Sequence, residues 1–248
     1  MEGKLILAVV FLGAGFIQGL TGFGFGMVAM SLSPLLIDVK QANVLVTILA
    51  LLNSLFVTWN VRHAVDFKKI LPIFIGAIVG IPIGVYLLTV LQPNIIKFIL
   101  GIILITFSTH SIFRKESNKH IRRRWAFPMG TLSGISNGLI NMGGPPVVIY
   151  TYYQKWNKDS IKATLAFYFI MCTAYKLAVL ILSKLVTVEI IKMSGILLPM
   201  VYLGAFLGFV WFGRVNKEQM RNVTFSILII LGLLLLFKSE MLHRFVSI

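Results

Sequence analysis

The sequence predicts an all-α polytopic membrane protein made of two homologous halves, and three observations carry that expectation. The first is composition: 58% of the 248 residues are apolar, 12% are charged and the mean hydropathy is +0.91, well outside the range of soluble domains. The second is an uncharged apolar segment from Leu5 to Ile37, much longer than the roughly 20 residues that one bilayer-spanning helix needs. The third is that a glycine-rich run inside this segment, Gly15 to Gly26, has a counterpart at Gly130 to Pro146, each followed by a similar series of apolar segments.

In chain order, the Leu5–Ile37 segment must break or fold back. Glycines at 15, 19, 22, 24 and 26 give up helix propensity and allow positive φ, and Gln18 and Thr21 set hydrogen-bonding groups among them. Three ordinary spans follow: 42–61, which holds Asn53 and Ser54, then 70–91, with Gly76, Gly80 and Gly84 four apart, and 95–113. The stretch Arg114 to Arg124 carries six Lys or Arg and one Glu and divides the halves. The second half repeats the scheme: a broken segment at 125–153, then spans at 161–183, 190–212 and 223–237. Gly15 and Gly19 match Gly130 and Gly134 at a spacing of 115, while Gly80 and Gly84 match Gly204 and Gly208 at 124. The difference can be absorbed around Asn137 to Asn141 and near Gln154. The units are therefore 1–113, the linker 114–124 and 125–248, with eight to ten membrane segments in all. Each broken segment either crosses once or folds back as a hairpin. Hairpins suit its length better and make the halves inverted repeats. Both arrangements place the linker in the cytoplasm by the positive-inside rule.

A resemblance rests on the first run, Phe16-Ile-Gln-Gly-Leu-Thr-Gly-Phe-Gly-Phe-Gly26, and on its glycine-rich second copy with Asn141-Met-Gly-Gly-Pro-Pro146. The chain resembles, over essentially its whole length, the sulfite exporter TauE/SafE family of bacterial membrane proteins. The resemblance implies export or uptake of sulfite, sulfonated organic acids or similar small anions through the bacterial inner membrane.

The residues support an anion on their own account. All eight carboxylates fall in loops or near termini, which argues against a cation cargo, since cation carriers place Asp or Glu at midplane. A helix that starts inside the membrane offers unpaired N–H groups and a positive dipole end, an anion site without a charged side chain. The expected substrate-binding residues are Gln18, Thr21, Gly22, Gly24 and Gly26 from the first break, and Ser136, Asn137, Asn141, Gly143 and Gly144 from the second. Gly15 and Gly19 read instead as helix-packing glycines. Lys176 is the one charge well inside a span, and it is either a partner for the anion or a lysine that snorkels to the interface. His110, beside the basic linker, reads as interfacial.

Other functions lack their signatures. The single cysteine allows no internal disulfide, and four scattered histidines give no metal-ligand spacing, so neither metal nor cofactor is expected. A net charge of +15 would suggest nucleic acid in a soluble protein. Here the basic residues mostly sit in short loops that set orientation in the bilayer, so no nucleic acid partner is expected. The N-terminus lacks a secretory signal pattern, and the first helix is expected to be retained. No nucleophile with a base, no paired intramembrane acids and no phosphate-binding loop are present, so the chain reads as no enzyme and as a secondary transporter driven by a gradient, coupling to protons being open. An anion channel and a structural membrane partner stay open as alternatives, as does a homo-oligomer.

Overall fold

The computed structural model describes residues 2–61, 63, 66–113, 122–152, 154, 156, 158–212, 214, 226, 229 and 233. The expected last span at 223–237, apart from those three positions, and linker residues 114–121 lie outside the described residues, as does the side chain of His110. Among the described residues the chain is all-helical. In order the helices are α1 (Glu2–Thr21), α2 (Phe25–Leu32), α3 (Val39–Val61), α4 (Phe67–Val90), α5 (Pro93–Phe113), α6 (Ala126–Ile140), α7 (Gly144–Tyr152), α8 (Lys158–Leu182) and α9 (Val188–Phe212).

Local chemistry sets the boundaries. Asp38 and Asp66 precede α3 and α4, and their Oδ1 atoms accept from the Lys40 and Lys68 N–H groups at 2.8 and 3.0 Å, satisfying first-turn donors. Pro93 opens α5, where its missing N–H costs nothing. Four helices, α3, α4, α8 and α9, are long and apolar enough to cross a membrane. Their outward faces carry large apolar side chains such as Ile75, Tyr86, Ile196 and Phe206, a surface fit for hydrocarbon and not for water. Trp59, Trp125 and Trp211 are exposed near helix ends, as interfacial tryptophans are. The chain is thus a multi-pass helical membrane protein.

Both broken segments double back. Phe25 opens α2, yet its ring lies 5.9 Å from that of Phe11. A straight continuation would put residues 14 apart at about 21 Å. Gly143, likewise, packs onto Ser133. The short arms α2 and α7 are therefore folded against α1 and α6.

The long helices pair across the halves. α1 lies along α9 and α4 along α6, while α3 and α8 meet at the centre. The close pairs are built on glycine: Gly15 and Gly19 face the backbone of Val201 and Ala205, and Gly134 and Gly138 face Ala77 and Ile81. This packing pairs Gly15 with Gly134, 119 residues on, whereas the sequence match paired it with Gly130. Glycines recurring every four residues align equally well one turn out of step, which is why the pattern alone slipped. The openings of α3 and α8, Val39 and Lys158, are also 119 apart, and the spacing becomes 124 only at Ala77 and Val201. Five residues separate α3 from α4 and α8 from α9 alike, so the added length lies within α8 and the opening turns of α9, not around Asn137 to Asn141 or Gln154.

Candidate transport site

The first break forms because α1 cannot pass Thr21. Gly22 and Gly24 take φ values of 81° and 94°, a left-handed conformation that side chains resist. The Thr21 hydroxyl sits 2.7 Å from the Phe23 carbonyl and 2.8 Å from that of Ile17, tying the turn together. Beyond it, α2 starts at Phe25, and its first-turn N–H groups at Phe25, Gly26 and Met27 have no intrahelical partner and no side-chain cap. One turn before the break, Gln18 is buried and donates from Nε2 to Ser54 Oγ at 2.7 Å, while its Oε1 accepts from Asn53 Nδ2 at 2.9 Å.

The second break uses other means to the same end. Asn141 takes the left-handed C-cap position at φ 56°, the role asparagine fills best after glycine. Its side chain bonds at both ends, Nδ2 donating to the Asn43 carbonyl at 2.9 Å and Oδ1 lying 3.1 Å from the Thr47 hydroxyl, whose proton the Asn43 carbonyl shares. Tyr168 donates to Ser133 Oγ at 2.8 Å, and Ser133 in turn donates to the Gly143 carbonyl. Pro145 and Pro146 remove two N–H groups from the start of α7, leaving fewer unpaired N–H donors there than at α2. An Asn141→Gly variant keeps the backbone conformation but loses both side-chain bonds. It should cost about 1–2 kcal/mol, read as lowered thermal stability in detergent.

The two breaks touch: Gly26 packs against the Asn141 carbonyl, and Gly144 lies against Phe23 and Met27. Between them is a cavity whose polar wall is Gln18, Ser54, Asn137 and Thr173 and whose apolar wall includes Phe25 and Phe169. Its volume is about 20 Å3, enough for roughly one water molecule. Of the residues expected from sequence, Gln18, Gly24, Gly26, Asn137, Asn141 and Gly144 line this cavity. Thr21, Gly22, Ser136 and Gly143 do not. Thr21 and Gly143 serve the turns, Gly22 packs on Lys162, and the Ser136 carbonyl accepts from the Met142 N–H at 3.2 Å.

Lys176 stands just behind the wall. It is 0% exposed and donates from Nζ to the Asn137 carbonyl oxygen at 2.6 Å, so it points inward and does not snorkel. Among the described residues no carboxylate lies within ion-pair distance of it. Asn137 Nδ2 is buried without a hydrogen-bond partner, although it stands at the cavity edge. Sequence reasoning missed three residues. Ser54 and Thr173 face the cavity from α3 and α8, and Lys162 is a buried lysine donating to the Gly19 carbonyl at 2.8 Å. The signal for the first two was their 119-residue spacing, visible only once the register is right. Lys162 stands near a polar link and gave none.

No solved structure matches the chain significantly. A curated relative from Cupriavidus necator, named "Probable sulfite/organosulfonate exporter TauE", is 22% identical over 246 residues, covering 94% of this chain and 95% of that protein. A family profile described as "Sulfite exporter TauE/SafE" matches residues 6–235. With two broken glycine-rich segments meeting at a polar cavity and a match spanning nearly every residue, the chain belongs to the sulfite exporter TauE/SafE family of membrane transporters.

Proposed function

We propose that this protein is a secondary transporter that moves a small sulfur-containing oxyanion, sulfite or an organosulfonate, across the cytoplasmic membrane by alternating access. The observation that carries the reading is the convergence of both breaks on one polar cavity with a buried lysine directly behind its wall. The uncapped first-turn N–H groups of α2, the unpartnered Nδ2 of Asn137 and the buried amine of Lys176 all favour negative charge in the cavity. The relative's name supplies the sulfur chemistry.

The halves 1–113 and 125–248 act as inverted repeats joined by a cytoplasmic linker, 114–124. In support of this, α1 pairs with α9 as α6 pairs with α4, and α3 meets its counterpart α8 at the centre. A cavity with room for about one water does not hold a sulfonate, so substrate enters when the halves part on one side, which is what rocking of one repeat against the other provides.

Flux of labelled sulfite and ethanesulfonate into proteoliposomes, with and without a proton gradient and with a monovalent cation control, tests the reading. Saturable anion flux is expected, and acceleration by the gradient would assign proton coupling. Asn137→Ala should raise KM by about tenfold or more, the loss of a hydrogen bond to a charged group. Movement of the cation but of neither anion, from folded protein, would overturn the proposal.

A further inference from the structure

The two halves do not present the same polar groups to the cavity, and the asymmetry has a defined origin. Gln18 and Asn137 occupy equivalent places, as do Ser54 and Thr173, each pair 119 residues apart. Gln18 reaches its hydroxyl neighbour, Nε2 to Ser54 Oγ at 2.7 Å. Asn137 is one methylene shorter and leaves its Nδ2 without a partner. The hydroxyls differ too. Thr173 spends its proton on the Phe169 carbonyl, whereas Ser54 receives a hydrogen bond from Gln18, and its own proton has no acceptor among the described residues.

The direction of that Gln18–Ser54 bond is set from behind the cavity wall. Asn53 is fully buried, does not line the cavity, and donates from Nδ2 to Gln18 Oε1 at 2.9 Å. An amide oxygen held by a donor turns the amide nitrogen the other way, toward Ser54. A serine oxygen that accepts on one side is left to donate on the other.

We propose that Asn53 is a positioning residue: through Gln18 it makes Ser54 present its hydroxyl proton to the cavity, so that Ser54 and Asn137 Nδ2, one from each half, form a two-donor clamp for the oxyanion. This rests on the transport reading above and specifies its site. The clamp takes groups that only accept, such as the three oxygens of a sulfonate or of sulfite. Reversal of the Gln18 amide would turn the Ser54 proton back toward Gln18 and face the anion with lone pairs.

The test is sulfite flux in proteoliposomes for four proteins: wild type, Ser54→Ala, Asn53→Leu and the double variant. Ser54→Ala is expected to raise KM about tenfold with kcat little changed, and Ser54→Thr, which keeps a hydroxyl, to restore most of it. Asn53→Leu should raise KM several-fold in the wild-type background and leave it unchanged in the Ser54→Ala background, because its effect passes through the serine proton. A further rise in the double variant would mean that Asn53 acts by packing, and would overturn the proposal. A folded Ser54→Ala protein with wild-type KM overturns it as well, even where Asn53→Leu does not fold. Absence of flux in the wild type would instead sink the transport reading itself, so the two failures are told apart.

Discussion

Lys176→Met is expected to reduce saturable sulfite flux more than a hundredfold while leaving the protein folded. The two halves of that expectation have separate grounds. Lys176 is 0% exposed, an anion bound on the other side of the cavity wall favours its protonated form, and breaking a buried pair of opposite charges costs about 3–5 kcal/mol, which corresponds to two decades or more. Folding survives because the group that Lys176 contacts keeps another partner. The Asn137 carbonyl also accepts from the Asn141 N–H at 2.9 Å, so no buried acceptor is orphaned. Methionine has a similar length and fills the space with an unbranched apolar chain. The measurement is flux from proteoliposomes matched for protein by size-exclusion chromatography. A monodisperse Lys176→Met protein with wild-type KM and kcat would show that the ammonium only caps the end of α6, and the anion's charge would then have to be met by the α2 N-terminus alone.

Much of this architecture is legible in the chain before any fold is seen, and the parts that are not share one cause. The break at Gly22 to Gly24 follows from an uncharged segment too long for one span, interrupted where only glycine tolerates left-handed backbone. The ambiguity over Lys176 is resolved by helix faces. Cys172, Thr173 and Leu180 are buried with it, while Ala174 and Ala178 on the other side are exposed, so the lysine sits on the stripe that faces protein. What sequence could not place are contacts between segments far apart in the chain. Ser54 becomes a site residue only because Gln18, 36 positions earlier, reaches it. Lys162 becomes a buried cap only because α8 brings it to the Gly19 carbonyl. The choice among Gly130, Gly134 and Gly138 as partner to Gly15 depends on which turn of α4 and α9 each helix meets. The contribution of each break also needed three dimensions to refine, since Pro145 and Pro146 matter only once they are seen to occupy the first turn of α7.

The glycines between the long helices set the second large effect. A Cβ at Gly80 would fall far inside contact distance of the Thr131 carbonyl oxygen and close to the Ile135 nitrogen, and one at Gly204 would meet the Leu12 carbonyl and the Phe16 nitrogen in the same way. These neighbours are helical backbone and cannot rotate aside, so even alanine forces α4 from α6, or α9 from α1. Overpacking of this kind costs about 1–3 kcal/mol for each added group. Valine, with two more carbons in the same seam, should exceed that range and prevent accumulation of folded protein. Gly80→Ala and Gly204→Ala are expected to destabilise to a similar degree, because they occupy equivalent positions in the two helix pairs. Gly13→Ala in α1 and Gly195→Ala in α9 provide the control: nothing lies within 4 Å of a Cβ at either, and changes there should stay within about 0.5 kcal/mol. Thermal unfolding of the four alanine variants in one detergent decides the matter. If Gly13→Ala and Gly195→Ala lower the midpoint as much as Gly80→Ala and Gly204→Ala do, close backbone contact does not explain the glycines, since alanine by its helix propensity alone would raise the midpoint. The pairing of α1 with α9 and α4 with α6, on which the proposed movement of one half against the other depends, would then need a different physical basis.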